Sequence, residues 1–200
     1  MPENGYLPLF SCAYWKSAVR EFKSVRKLTF AALMIAASVI ISSLFIPVGE
    51  NLLIYFSYLA NAVLCLVCGP VVGVSAGFIV DMVDYFLHPL GGFFPGYTLS
   101  TMLEFLVFAL LLYRCRVSVT RIVLARLIIN IFINVGLGSL WSAMLYGKAY
   151  YYYLAKGIVK NLIMLPVEVI LLLIILRAVM PVLARKGFIP KPKGRVIPIF

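Results

Sequence analysis

Four of the seven acidic residues in this 200-residue chain lie inside otherwise apolar runs. Asp81 and Asp84 are three residues apart and share a helix face. Glu104 and Glu168 stand alone in later apolar stretches. Two cations, Lys156 and Lys160, share a face one turn apart, with Asn161 beside them. Carboxylates and ammonium groups in apolar surroundings suit three kinds of chemistry. They hold the donor and acceptor edges of a polar organic molecule, they relay protons, or, as close carboxylate pairs, they bind a metal. The metal reading is the weakest. His88 is the only histidine, and carboxylates further downstream, which intramembrane metal enzymes need, are missing. The Cys65-x-x-Cys68 pair has no second pair nearby and reads as two small packing residues.

The elements that position these groups are membrane spans. The chain is 64% hydrophobic and 12% charged, with a mean hydropathy of +1.05. Leu28 to Ile46 carries no charge and, at ~1.5 Å per helical residue, covers the ~30 Å hydrocarbon core. Lipid offers no hydrogen-bond partner, so the backbone there is helical. The expected fold is all-α, with six transmembrane helices at roughly 28–47, 52–68, 70–87, 98–114, 122–145 and 154–181. Gly69-Pro70 makes the second and third a tight helical hairpin. Residues 1–27 read as a cytoplasmic amphipathic segment on the membrane surface, with Tyr14, Trp15, Val19 and Phe22 among Lys16, Arg20, Lys23 and Arg26. Residues 28–182 form the membrane domain. Residues 183–200 form a basic, proline-containing tail, and Pro166 is expected to kink the last helix.

Charge sets the expected orientation. If both termini are cytoplasmic, fifteen of the eighteen Lys and Arg residues lie inside, and only Lys148, Lys156 and Lys160 lie outside. The reverse topology inverts the positive-inside rule. The net charge of +11 therefore points to topology and anionic lipid, not to nucleic acid.

This orientation gathers most of the buried charges in the outer leaflet. Each costs about 2.5–3.5 kcal/mol at a helix centre, so they are expected to face one another or a water-filled chamber. Above them, Phe93-Phe94-Pro95-Gly96-Tyr97 reads as a shaped aromatic loop. The Tyr150 to Tyr153 run reads equally as an interfacial belt. Arg126, Asn130, Asn134, Gly138 and Ser142 recur every four residues. Arg126 and Gly138 read as helix-packing residues, whereas Asn134 and Ser142 are candidate chamber residues. Ala32-x-x-x-Ala36 is a small-residue face for close helix approach. No G-x-x-x-x-G-K-[ST] is present, so the chain has no nucleotide-binding loop of its own.

Four ordered blocks carry a family resemblance. They are Gly69-Pro-Val-Val-Gly73 followed by Asp81; Phe94-Pro-Gly-Tyr-Thr-Leu-Ser100; Leu140-Trp141 with Leu145-Tyr-Gly-Lys-Ala149; and Lys160-Asn-Leu-Ile-Met-Leu-Pro166. Over roughly residues 28–180 the chain resembles the substrate-binding S components of energy-coupling factor (ECF) transporters, of the folate type (FolT). The resemblance implies a multi-pass plasma-membrane protein, not an enzyme, with a vitamin bound near the outer face. It implies no cofactor in this chain. A shared transmembrane subunit and two ATPase subunits would supply the energy, with Ala32 and Ala36 packing against the shared subunit. The chain departs from the folate-type pattern at Gly157, where an arginine is common, at Glu104, where small residues are, and at Glu168, near a common glutamine.

The expected pocket follows from folate's own chemistry. Phe94 and Tyr97 would cover the flat pterin, and Asp84 or Glu104 would accept from its N–H edge. Asn134 would line the chamber, and Lys156 and Lys160 would meet the glutamate carboxylates. Competing readings are an S component for another vitamin, and a proton-coupled secondary transporter using Asp81, Asp84, Glu104 and Glu168 as its relay. A third is the intramembrane enzyme considered above.

Overall fold

The computed structural model describes residues 11–49, 52–88, 93–147, 149–190 and Pro198. Helix α1 (Cys12–Arg20) and one 3-10 turn (Glu21–Lys23) lead into α2 (Val25–Ser42). Strands β1 (Ile46–Gly49) and β2 (Leu52–Ile54) pair antiparallel, with Ile46 opposite Ile54. Helices α3 (Tyr58–Leu87) and α4 (Pro95–Leu112) follow. Then α5 (Val119–Ile128), a π-helical stretch (Ile129–Leu137) and α6 (Gly138–Tyr146) run on without a break, and α7 (Tyr150–Arg185) closes the described helices.

Five of these runs are long and apolar enough to cross a bilayer: α2, α3, α4, α5 through α6, and α7. One of them, α3, doubles back on itself. Asn61 and Asp84 would stand ~35 Å apart on a straight helix. Yet Asn61 accepts a hydrogen bond from Ser38 and Asp84 accepts one from Ser42, and those serines are one turn apart on α2. The reversal is at Gly69, whose φ of 77° and ψ of −175° only glycine adopts readily. Pro70 begins the return half. A Cβ built at Gly73 would touch Cys65 Sγ at 3.4 Å across the turn. The expected hairpin is therefore present, and with α3 counted as two halves the bundle has six long helical segments.

The first half of α3 is the bundle's axis: residues 60–70 are all buried. Large side chains on the outside are apolar, among them Leu33 at 64%, Phe132 at 65% and Leu162 at 71% exposure. An apolar exterior around a core holding charges is the arrangement that a lipid solvent selects. One end of the bundle carries the β1–β2 pair, His88 and the Phe93–Tyr97 segment, and is called the aromatic end below. The other carries α1, the Gly69 turn, the 113–118 connection and the end of α7, and is called the basic end.

Several expectations need correction. The second span does not start at 52, because residues 52–54 form one strand of a short pair in an otherwise α-helical membrane fold. Hydropathy cannot separate a short apolar strand from a helix start. Helix α2 ends at Ser42, five residues early, where Ser42 and Ser43 both turn their hydroxyls back to Val39 O. Helix α7 runs as one element through Pro166 and Pro181 to Arg185, so the helix enters the expected tail. One face of helix α1 packs against the bundle, where Tyr14 and Ala18 are fully buried, while Trp15, Val19 and Phe22 are exposed. Half of the tail, Lys148 and residues 89–92 lie outside the described residues.

The Gly69 turn is also filled from outside, since a Cβ there would come within 3.0 Å of the Tyr113 ring. Gly147 also has positive φ, at 69°, but nothing lies within 4 Å of its Cβ position. Gly69→Ala should therefore lower the melting temperature in detergent well beyond Gly147→Ala, by roughly 1–3 kcal/mol of backbone strain plus the steric clash. Equal losses would show that the hairpin turn carries no special constraint.

Candidate functional site

At the aromatic end, Pro95 starts α4 in the first helical turn, where its missing N–H costs nothing. This fixes Phe94 just before the helix and Tyr97 just inside it. The Phe94 ring packs edge-on to Tyr97 at 6.1 Å and tilts against Trp141 of α6 at 5.6 Å. Trp141 Nε1 donates to Ser100 Oγ at 2.9 Å, and the Tyr97 hydroxyl meets Ser142 Oγ at 3.2 Å. Gly96 sits beneath the rings: a Cβ there would fall 2.4 Å from Phe94 and 2.6 Å from Trp141. The three rings and Gly96 make a tight aromatic box between α4 and α6.

Glu104 lies one turn below Ser100 on α4. Its Oε1 is buried and has no hydrogen-bond partner among the described residues. The side-chain amide of Asn61 bonds to this carboxyl group, and Arg126 and Glu168 are its charged neighbours. Arg126 is 2% exposed and holds Glu168 Oε2 at 2.5 Å. Its guanidinium lies over the Tyr58 ring at 4.2 Å, while its Nε is buried without a partner. Asn130 Nδ2 donates to the same Glu168 oxygen at 2.7 Å, and Asn130 Oδ1 accepts from Asn134 at 3.1 Å. Lys160 is half-buried and within electrostatic reach of Glu168 and Arg126. The middle of the bundle thus holds two carboxylates and two cations, joined by amides from α3 and the π-helical stretch.

The expected site residues divide into groups. Phe94 and Tyr97 meet in the aromatic box. Glu104 and Lys160 belong to the charged core. Asn134 is exposed but reaches that core through Asn130. Lys156 places its Nζ 4.5 Å over the Tyr152 ring. Asp84 accepts from Ser42 and pairs with His88 Nδ1 at 3.1 Å, which ties α2 to the end of α3. Asp81 likewise accepts from Thr98 at 2.6 Å and Thr101 at 3.0 Å, tying α3 to α4. Ala32 and Ala36 are exposed on α2 and face away from the bundle. The Cys65 and Cys68 thiols turn to Phe105 O and Lys27 O as buried packing groups.

Sequence reasoning treated Arg126 as packing and gave Trp141 no role. The signal for Arg126 was its distance from the basic flanks, seven residues into a span: a cation that deep needs a buried carboxylate. Nothing in the sequence signalled Trp141, whose partner Ser100 lies 41 residues away.

Removing one member of a buried ion pair leaves the other charge bare, at roughly 3–5 kcal/mol, whereas replacing both with apolar groups costs less. Arg126→Met and Glu168→Met should each lower the melting temperature of the purified protein sharply. The double variant should melt above either single one. Additive losses in this cycle would mean that the two groups do not compensate each other.

The sequence matches the family described as ECF transporter, substrate-specific component, over residues 26–176. It is 27% identical over 150 residues to the folate transporter FolT of Clostridium novyi (strain NT), covering 75% of this chain and 87% of that one. It is 26% identical over 151 residues to the folate transporter FolT of Leuconostoc mesenteroides, covering 72% of this chain and 80% of that one. A crystal structure of FolT bound with folic acid superposes with a TM-score of 0.69 at 25% identity, covering 74% of this chain and 91% of that one. A bundle of membrane-crossing helices with a polar core, matched to this family over three quarters of its length, places the chain: it belongs to the substrate-specific components of ECF transporters, and is a multi-pass membrane subunit for transport, not an enzyme.

Proposed function

We propose that this chain captures folate or a related pterin at the outer face of the plasma membrane and hands it to a shared energising module. The observation that carries this reading is the aromatic box set about two helix turns along α4 from the buried Glu104 Oε1, on a bundle that resembles a folate-bound FolT. A pterin is flat and presents adjacent N–H donors along one edge. Phe94, Tyr97 and Trp141 offer ring faces and edges for it. Glu104 offers an acceptor whose desolvation is already complete in the folded protein. Lys160, and Lys156 nearer the aromatic end of α7, are the cations available to the glutamate carboxylates. Asn134 lines the route between box and core. Asp84, engaged by Ser42 and His88, shapes the rim.

Both termini are read as cytoplasmic, because the basic end gathers the positive flanks. The chain itself needs no cofactor in this reading. ATP is hydrolysed by two partner subunits, and a shared transmembrane subunit docks on α2. Ala32 and Ala36 support that docking, since they are exposed, small and one turn apart, so a partner helix can approach the backbone closely.

Binding and uptake measured side by side test these assignments. Glu104→Gln should weaken both folic acid and a pterin lacking the glutamate tail, by about ten- to a hundredfold for one charge-assisted hydrogen bond. Lys160→Ala should weaken folic acid alone. Ala36→Trp should abolish uptake while leaving binding intact. Loss of pterin binding in Lys160→Ala would overturn the two-ended pocket, and loss of binding in Ala36→Trp would make that alanine part of the internal packing.

A further inference from the structure

Helix α1 lies outside the family match, which begins at residue 26, yet it is fixed firmly to the basic end. Tyr14 is fully buried, its hydroxyl donates to Ala109 O at 3.2 Å, and burial raises that hydroxyl's pKa above the ordinary tyrosine range. Its ring meets Tyr113 edge-on at 5.5 Å. Ser17 reaches the Tyr113 hydroxyl at 3.3 Å, and that hydroxyl donates to Glu21 Oε1 at 2.7 Å. Glu21 is buried and also holds Lys27 at 2.5 Å and Arg114 at 3.5 Å. The same Tyr113 ring closes the Gly69 turn. One face of α1 is therefore committed to the protein, and the rotation of the helix about its axis is set.

That rotation fixes what the other faces present. At about 100° per residue, Trp15, Val19 and Phe22 form one stripe roughly a quarter-turn from the buried face. They are 44%, 55% and 41% exposed. Lys16, Arg20 and Lys23, each one residue further on, form a parallel exposed stripe roughly opposite the buried face. The Glu21–Lys23 turn extends α1, and a single extended residue, Ser24, joins it to the membrane-crossing α2, so both stripes stand at the boundary between hydrocarbon and water. Val25, at the start of α2, is also exposed, at 77%.

We infer that α1 is a binding surface for anionic phospholipid. Trp15, Val19 and Phe22 enter the acyl boundary, and Lys16, Arg20 and Lys23 meet the phosphates of negatively charged headgroups. Charge complementarity selects this occupant: three cations on one exposed face attract an anionic leaflet, and the apolar stripe beside them matches its hydrocarbon edge. The buried face is what distinguishes α1 from a loose amphipathic tail. Because Tyr14 and Glu21 hold it, lipid bound there contacts an element coupled to the α3 turn and the end of α4.

The test uses the full chain in vesicles. The chain has two tryptophans, Trp15 and Trp141, so Trp141→Phe leaves Trp15 as the only indole reporter. Vesicles of phosphatidylcholine are doped with equal small fractions of brominated phosphatidylglycerol or brominated phosphatidylcholine. The expected result is Trp15 quenching by both lipids, at least about twofold stronger for the anionic one, since each cation near the surface adds to its attraction. Raising the salt to about 1 M, where the Debye length falls to about 3 Å, should remove the preference in the same protein. Lys16→Gln, Arg20→Gln and Lys23→Gln together should also remove it. Equal quenching by both lipids at low salt would overturn the anionic preference. Absence of quenching by either would show that this face does not meet lipid and is left for a protein partner.

Discussion

A charge pair in a medium that cannot solvate it sets the terms for this molecule. Arg126 and Glu168 meet at 2.5 Å near the middle of the bundle, where an unpaired charge would be strongly unfavourable. Their pairing constrains every neighbouring segment. Helix α5 has to face α7, Tyr58 at the start of α3 has to lie under the guanidinium, and Asn130 has to deliver its amide to the carboxylate. The remaining valences, Arg126 Nε and Glu104 Oε1, are left open. A core that is nearly but not wholly satisfied is suited to a ligand that completes it, because the binding energy is not spent on stripping water from those groups.

The rest of the structure positions that core and gives it an entrance. The Gly69 turn folds α3 into the axis of the bundle, so its two ends reach Ser38 and Ser42 of the same helix. Asp81 and Asp84 clamp the returning half to α4 and α2. The π-helical stretch runs from Ile129 to Leu137 through the site region. Such stretches are rare and occur mostly at functional sites. Here it carries Asn130 and Asn134 at the core, and it hands over to α6, which supplies Trp141 and Ser142 to the aromatic box. Entrance and core are thus served by one continuous helix facing α4, whose Tyr97, Ser100 and Glu104 descend along the same side.

Hydropathy made the crossing segments legible, since lipid imposes a simple rule on length and polarity. The Gly-Pro dipeptide made the hairpin legible. The short hairpin at 46–54 was not, because its apolar residues fit a helix as well as a strand. The π-helical stretch was invisible because its apolar pattern continues that of its neighbours. Among the site residues, Phe94, Tyr97, Glu104 and Lys160 stood out by type and depth. What one-dimensional reasoning lacked was partner assignment. Asp84 looks as available as Glu104 in the sequence, yet Ser42 and His88 engage it while one oxygen of Glu104 has no partner. Arg126 looked structural until its carboxylate was known.

The most direct measurement is the identity of the small molecule that the purified subunit holds. Protein extracted from cells supplied with a mixture of vitamins is washed free of unbound solutes, released by acid, and the supernatant analysed by mass spectrometry. The account above expects folate or a reduced or shortened pterin relative, near one molecule per chain, and its loss from Glu104→Gln. A stoichiometric vitamin with no pterin ring would contradict it, leaving the transport subunit in place but assigning its aromatic box and charged core to a different ligand.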